Sequence, residues 1–268
     1  PSPIDLATDG TRVVLTCGSS KFTLPTLPLD EYPTLPEMPA VSGTVGSDAF
    51  AAAVAAVAGA AGRDDALPVL TGIRVEIEGE VMTLAATDRY RLAVRTLKWQ
   101  PEEPSMQATA LVPARTLADA AKSLTAGAQL SIALSATAAG EGLIGLAGGE
   151  RSTTSRLLDG EFPKYRSLLP ETSTATAGVD VAALTDAVRR VALVASRTSP
   201  IRLSFSSDGI GLEAGGLDDA AATESLPADF EGEALTIAFN PTYLLDGLGS
   251  LDSDAATLSF TGPTKPAV

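Results

Sequence analysis

The chain has 268 residues, 45% of them hydrophobic but only 4% aromatic, and a formal net charge of −14. It exceeds the usual domain of roughly 100–200 residues, so two compact units plus remnants are expected, with cores built from Ala, Val, Leu and Ile. With no histidine and a single cysteine, Cys17, it has no Ser-His-Asp triad, no Cys-His pair and no internal disulfide, and it lacks most donors for a transition-metal or structural zinc site.

Cys17 lies in the strand-like run "VVLTC", where packing suits it better than reactivity. From residue 45 onward, a helix from Asp48 to Gly62 is expected, then strands around Val69–Ile77, Val81–Ala86 and Arg91–Trp99. "IRVEIEG" alternates, with Ile73, Val75 and Ile77 facing inward and Arg74, Glu76 and Glu78 outward. A second helix, "VPARTLADAAKSL", has Pro113 suited to its first turn. Strands near Leu130–Leu134 and Gly142–Ala147 follow, and then the phrase "LLDGEFPKYRSLLP". No apolar run reaches the roughly 18 residues of a membrane span; the longest, Ala49 to Ala61, is short and alanine-rich. No signal peptide precedes Pro1, so no membrane contact is expected.

From residue 179 the same order returns: helix "VDVAALTDAVRRVALVAS", strands "IRLSFS" and "IGLEAG", helix "NPTYLLDGLGSL" with Asn240 as N-cap before Pro241, and strand "ATLSFTG". The two sets align at a spacing of about 130 residues, which makes a domain-sized repeat. "LDEYPTLPEMP" (Leu29 to Pro39) echoes "LDGEFPKYRSLLPE" (Leu158 to Glu171), as the tail of an earlier copy would. The expected organisation is therefore a remnant at 1–40, a full repeat at 41–174 and a repeat at 175–268 that lacks its end. The missing initiator Met agrees with a fragment. One apolar stripe per helix, such as Leu117, Ala120, Ala121 and Leu124, laid on one apolar sheet face, makes each repeat an α+β layer domain.

This repeat order, together with "LPVLTGIRVEIEG", "TLAATDRYRLAV", "LLDGEFPKYRSLLP" and "FNPTYLLDGLGSL", resembles the bacterial DNA polymerase III beta subunit family, the sliding clamps, over essentially the whole chain. The alanine-rich usage and "TDRYRLAV" resemble a high-GC, actinobacterial-type version. The resemblance implies the DNA clamp fold, with repeated domains each having two helices packed on antiparallel β-sheet. The full-length form would be a homodimeric ring that encloses double-stranded DNA without regard to sequence and acts as a processivity factor without catalytic chemistry or cofactors. Its partners would be the polymerase III alpha subunit, the clamp loader, other polymerases and repair proteins, met in the nucleoid region of the cytoplasm. The present chain, missing most of the first domain, would not close that ring by itself. An acidic exterior would keep DNA off the outside, while basic residues on inner helices meet phosphates through water; the candidates are Arg63, Arg115, Lys122, Arg189, Arg190 and Arg197.

The basic, aromatic stretch "AATDRYRLAVRTLKW" reads by itself as a hairpin whose turn, Thr87–Asp88–Arg89, is polar. The family resemblance makes it the border of a cleft for short hydrophobic peptides. That cleft would be walled by Leu70, Thr87, Tyr90, Arg91, Leu92, Pro163 and Leu168, with Asn240 and Tyr243 from the last repeat. Arg89 and Tyr90 depart from the small and imidazole residues common there. A clamp-like scaffold that binds peptides without encircling DNA is one alternative. A carboxylate hydrolase is another, but Asp64–Asp65, Glu102–Glu103 and Asp218–Asp219 are sequence neighbours whose side chains diverge on a strand. "GLIGLAGGE" lacks the Lys-Ser/Thr of a phosphate loop and sits where a strand is expected.

Overall fold

The computed structural model describes residues 2–32, 37–135, 142–195, 199–216 and 220–268. Pro1–Glu37 forms one unit and Met38–Val268 another. The first unit is an antiparallel meander of β1 (Asp5–Asp9), β2 (Arg12–Cys17) and β3 (Ser20–Pro25), followed by a 3-10 turn at Leu29–Glu31. Its apolar residues Ile4, Leu6, Phe22 and Leu24 are exposed, and Cys17 is half-exposed. The division falls just ahead of residue 40 for a packing reason: Met38 fills the space over Gly145, where any side chain would clash.

The second unit begins with β4 (Val41–Gly46), α1 (Ser47–Ala58), β5 (Gly72–Glu78), β6 (Val81–Thr87), β7 (Leu92–Lys98), β8 (Gln100–Pro101), β9 (Gln107–Pro113), α2 (Ala114–Ser123) and β10 (Gln129–Ser135). These make two antiparallel sheets, β7-β6-β5-β9 and β10-β4-β8, the second extended by β11 (Leu143–Gly148) and β12 (Arg151–Arg156). The chain then repeats the set as β13 (Ala175–Asp180), α3 (Val181–Val191), β14 (Ile201–Ser206), β15 (Gly209–Ala214), β16 (Ala222–Leu226), β17 (Asp229–Gly232), β18 (Leu235–Phe239), α4 (Pro241–Leu248) and β19 (Ala255–Phe260). The sheets β16-β15-β14-β18 and β19-β13-β17 have the strand order of the first set, element for element. The helices also match: α1 lies on α2 and across β6 and β7, and α3 lies on α4 and across β15 and β16. The meander β10-β11-β12, followed by a 3-10 turn at Tyr165–Leu168, has the same order as β1-β2-β3 and its turn.

The α+β class holds, but each repeat has two sheets where one was expected. The reason lies in the core, where residues of both sheets and both helices meet: Val45, Leu130 and Ile132 from one sheet, Ile73, Val75, Ile77 and Leu84 from the other, and Phe50, Val54, Leu117 and Ala121 from the helices. The last repeat has its own core around Leu184, Val188, Leu203, Phe205, Leu212 and Phe260. Trp99 is buried in the first core and donates its indole N–H to the Gly79 carbonyl at 2.8 Å.

Several local expectations are corrected. Val69 and Leu70 stand in a 3-10 turn at Pro68–Thr71 rather than in a strand, because Pro68 opens the turn and β5 starts only at Gly72. Pro113 ends β9 with extended backbone (φ −52°, ψ 120°) and α2 begins after it. Helix α1 stops at Ala58, ahead of Gly59 and Gly62, so Arg63 follows the helix instead of ending it. Helix α3 tightens into a 3-10 turn at Ala192–Val194. Glu76 does not face open solvent, since the segment around Phe162 and Tyr165 covers the outer face of β5 and β9.

Candidate peptide cleft and DNA-facing helices

The hairpin between β6 and β7 is pinned by its own side chains. Thr87 is buried and pairs with Leu92 across the ladder; its hydroxyl donates to the Arg91 carbonyl at 2.7 Å. The Asp88 carboxylate accepts from the backbone N–H of Tyr90 at 3.0 Å and of Arg91 at 3.1 Å, the local turn that Asp favours. This closure forces Arg89 to a φ of 82°, the one non-glycine residue with positive φ among the described residues. Such a conformation costs an L-residue roughly 1–2 kcal/mol.

Opposite the hairpin stands α4. The Asn240 side-chain carbonyl accepts from the N–H groups of Thr242 at 2.9 Å and Tyr243 at 3.3 Å, and Pro241 occupies the first helical position. The N-cap expected from "NPTY" is in place, and it fixes the first turn, from which Tyr243 reaches the hairpin, as Asp246 does from the next turn. The Tyr90 ring stacks on Tyr243 with centroids 6.3 Å apart. The Arg91 guanidinium lies 4.5 Å from the Tyr243 ring centroid, donates to Asp88 at 3.1 Å and forms an ion pair with Asp246. Further along β7, Arg95 reaches Asp252 at 2.9 Å. Burial alone would lower the Arg91 pKa, but its bonds to Asp246 and Asp88 outweigh that and raise it, so its charge is fixed.

Beneath the hairpin lies a small apolar cluster: Ala85, Leu111, Phe162 and Tyr165, with Val69, Leu92 and Leu158 against them. Of the expected cleft residues, Thr87, Tyr90, Arg91 and Leu92 share the hairpin, and Tyr243 meets it from α4, whose N-cap is Asn240. Pro163 is half-buried beside Phe162 and accepts from the Tyr165 N–H at 2.7 Å. Leu70 is half-buried in its turn and accepts from the Gly62 N–H through its carbonyl. Leu168 projects at 63% exposure, and neither it nor Leu70 joins the buried cluster. Asp246 and Asp252, which tie α4 and the residues after it to the hairpin turn and to β7, were not foreseen.

The Tyr165–Leu168 turn is clamped to the outer sheet face. Tyr165 donates its hydroxyl to Glu76 at 2.8 Å, Arg166 donates to the same carboxylate at 2.7 Å, and Arg74 donates to its other oxygen at 2.6 Å. Burial pushes the Glu76 carboxyl up, but the bonds from Arg166, Tyr165 and Arg74 outweigh it and hold it below its ordinary range. Burial, helped by Glu76, raises the Tyr165 hydroxyl. A polar groove of about 410 Å³ runs beside this clamp, lined by Glu76, Glu78, Gln107 and Thr109 among others.

The basic candidates are divided by their partners. Arg115 and Lys122 are exposed on α2, and Arg63 is exposed in the loop after α1; none of the three makes an ion pair among the described residues. On α3, Arg189 pairs with Asp186 at 3.4 Å, and Arg190 holds Glu224 of β16 with both Nε, at 3.1 Å, and a terminal nitrogen. Helices α1 and α4 carry no Lys or Arg. Arg197 lies outside the described residues, as do Asp218 and Asp219. The other carboxylate pairs serve turns: Asp64 accepts from the Ala66 N–H, and Glu103 from the Ser105 hydroxyl. Among the described residues, no cluster of His, Cys, Asp and Glu could hold a metal ion, and no helix is long and apolar enough to cross a membrane.

Two family models match in succession: the central domain of the DNA polymerase III beta subunit over residues 44–164 and its C-terminal domain over residues 166–268. The beta sliding clamp of Streptomyces coelicolor is 57% identical over 99% of this chain and 71% of its own length. That of Micrococcus luteus is 51% identical over 83% of this chain and 71% of its own; both relatives are actinobacterial. Among solved structures, the DNA polymerase sliding clamp of Bacillus subtilis aligns with a TM-score of 0.88 at 26% identity, over 98% of this chain and 70% of that one. With this agreement of sequence, strand order and fold, the chain belongs to the DNA polymerase III beta subunit family, the bacterial sliding clamps.

Proposed function

We propose that the chain contributes to a ring that encloses duplex DNA, and that it holds partner proteins by short peptides bound in the cleft between the β6–β7 hairpin and α4. The reading assigns 1–40 to the end of a first domain, 41–174 to the middle domain and 175–268 to the third. It makes the protein a non-catalytic accessory subunit, dimeric at full length and at work in the cytoplasm on nucleoid DNA. Its peptide partners would be the polymerase III alpha subunit, the clamp loader, other polymerases and repair proteins.

The observation that carries this reading is the contact of Tyr90 and Arg91 with Tyr243 and Asp246, which joins residues from two repeats beside the apolar patch of Leu92, Val69 and Leu158. A binding protein of this kind works by exchange, and an extended peptide anchored by a few apolar side chains suits exchange. Leu92, Leu70, Pro163 and Leu168 offer apolar surface and Tyr90 and Tyr243 flat amphipathic walls, while Thr87, buried, holds the hairpin in shape and Asn240 caps the helix that carries Tyr243. Duplex DNA would meet the cations of α2 and α3 and of Arg63 and Arg197, with Arg63, Arg115 and Lys122 free of ion pairs among the described residues.

The test is a titration of a polymerase-derived peptide against the protein and its variants. Leu92→Ala or Tyr243→Ala weakens the peptide at least several-fold, since loss of a central anchor costs about 1–3 kcal/mol. Lys122→Ala leaves peptide affinity in place. Unchanged affinity in both cleft variants, or an equal loss in Lys122→Ala, overturns the assignment.

A further inference from the structure

The chain between β12 and β13, residues 157–174, contains one 3-10 turn, Tyr165–Leu168, which no side chain caps. A connection of this length with so little secondary structure keeps one shape only where it is held from outside. It is held at two places by the half of the molecule that also bears the β6–β7 hairpin. At the first, the Leu158 N–H donates to the Leu111 carbonyl at 2.7 Å, and Gly160 passes so close to Val69 that a Cβ would stand 2.6 Å from its Cγ2. At the second, Glu76 of β5 accepts from Tyr165 and Arg166 through one carboxylate oxygen and from Arg74 through the other, with only 12% of its side chain exposed. Phe162 and Tyr165 lie edge to face, with centroids 6.2 Å apart, in the cluster against which Leu92 and Val69 pack.

We propose that Glu76, which lies outside the peptide cleft, is a positioning residue for it: through Tyr165 and Arg166 it fixes the connection that carries Pro163 and Leu168 and that backs Leu92. The inference rests on the peptide-cleft reading above. Glu76 sits on the strand next to β6, so its carboxylate ties the connection to the same sheet that presents the hairpin. The tie is passed on along the backbone, since the Tyr165 N–H donates to the Pro163 carbonyl at 2.7 Å and the Ser167 N–H to the Lys164 carbonyl at 3.1 Å. It is passed on through side chains as well, because the Tyr165 ring that the carboxylate orients is buried with Phe162 and Leu111. A wall ordered in advance spares the peptide the cost of ordering it, and a loosened wall takes that cost out of the affinity. A charged, triply bonded carboxylate is suited to this task, since bonds between ionised partners are the stronger ones.

The experiment titrates a fluorescein-labelled peptide of the polymerase III alpha subunit against the protein, Glu76→Gln, Arg166→Met, their double variant, Leu92→Ala and Trp99→Phe. Glu76→Gln keeps an oxygen for the Tyr165 hydroxyl but gives up both ion pairs. It weakens the peptide roughly three- to tenfold, Arg166→Met weakens it as well, and the double variant loses little more than Glu76→Gln alone, because the two residues act as one unit. Hydrogen exchange quickens at the Tyr165 and Ser167 amides. Trp99→Phe, which loses the bond to Gly79 in the core and touches nothing in the connection, lowers the melting temperature and leaves the peptide affinity in place. Unchanged affinity in Glu76→Gln, or losses that simply add in the double variant, overturns the proposal while a loss in Leu92→Ala keeps the cleft. An equal loss in Trp99→Phe makes the effect one of general stability, which also overturns it. If Leu92→Ala binds the peptide as the protein does, the cleft is misassigned and the positioning role falls with it.

Discussion

The Arg91 guanidinium lies 4.5 Å from the centroid of the Tyr243 ring and forms an ion pair with Asp246 one helical turn further on, so a single side chain of the β6–β7 turn engages two residues of α4. Arg91 is mostly covered, with 18% of its side chain exposed, whereas Asp246 is 46% exposed. Arg91→Ala leaves the Asp88 carboxylate, itself only 16% exposed, with backbone donors and no cation, and is expected to cost about 1–3 kcal/mol in urea unfolding. Asp246→Asn leaves Asp88 in place and costs about 0.2–1 kcal/mol, as for other partly exposed pairs. A double-mutant cycle that finds the two losses additive would show that the pair does not couple the repeats.

Asn240→Ala removes the acceptor of two amides from a short helix that has little stability of its own. The expected loss is about 1 kcal/mol. Hydrogen exchange should quicken first at the Thr242 and Tyr243 amides, and peptide affinity should fall because the same turn presents Tyr243.

Glu76 sets a pH dependence. Its folded pKa lies below its ordinary value of 4.5, so the unfolded chain takes the proton first as pH falls. Its contribution is therefore complete above that value and is lost as pH drops through the lower, folded one. Unfolding of the protein and of Glu76→Gln across pH should show a stability gap that is constant near neutrality and narrows below about 4.5. A gap that widens toward acid would contradict the clamp of Tyr165, Arg166 and Arg74.

The paired and unpaired cations should differ on DNA. Every phosphate that a variant ceases to neutralise reduces the salt slope of duplex binding by roughly 0.9, so Arg115→Ala and Lys122→Ala should each lower it. Arg190 already has Glu224, and Arg190→Ala should change the slope less. An equal effect of all three would mean that Arg190 exchanges its carboxylate for phosphate.

Much of this architecture was legible because it is local. Asn240 before Pro241 signals a cap, and Ile73, Val75 and Ile77 alternate as a strand with one buried face must. What stayed hidden depends on distant partners. "VSGTVG" and "ATAGVD" are too small and glycine-rich to read as strands, yet β4 and β13 are interior strands because β10 and β8 flank the one and β19 and β17 the other. In "QATALVP", Pro113 reads as a helix start, whereas pairing with Gly72 makes it a strand end. The carboxylates of Asp246 and Asp252 lie 155 and 157 residues from their arginines, a separation at which no spacing rule operates. Glu76 alternates outward as expected and is covered only because a segment some ninety residues later folds over it. Arg89 stood out as a departure in size, but its strain belongs to the backbone and has no signature in residue type.

Trp99, the single tryptophan, sits in the first of the two cores, with its indole N–H bonded to Gly79. Intrinsic fluorescence excited at the indole therefore reports on one repeat and is blind to the other, whereas far-ultraviolet circular dichroism follows the strands of both. Coincident transitions would mean that the Arg91 and Arg95 ion pairs bind the two repeats into one cooperative unit, and separated ones that each repeat melts alone. The chain thus carries a built-in optical label for the middle repeat, and no dye is needed to time it against its neighbour.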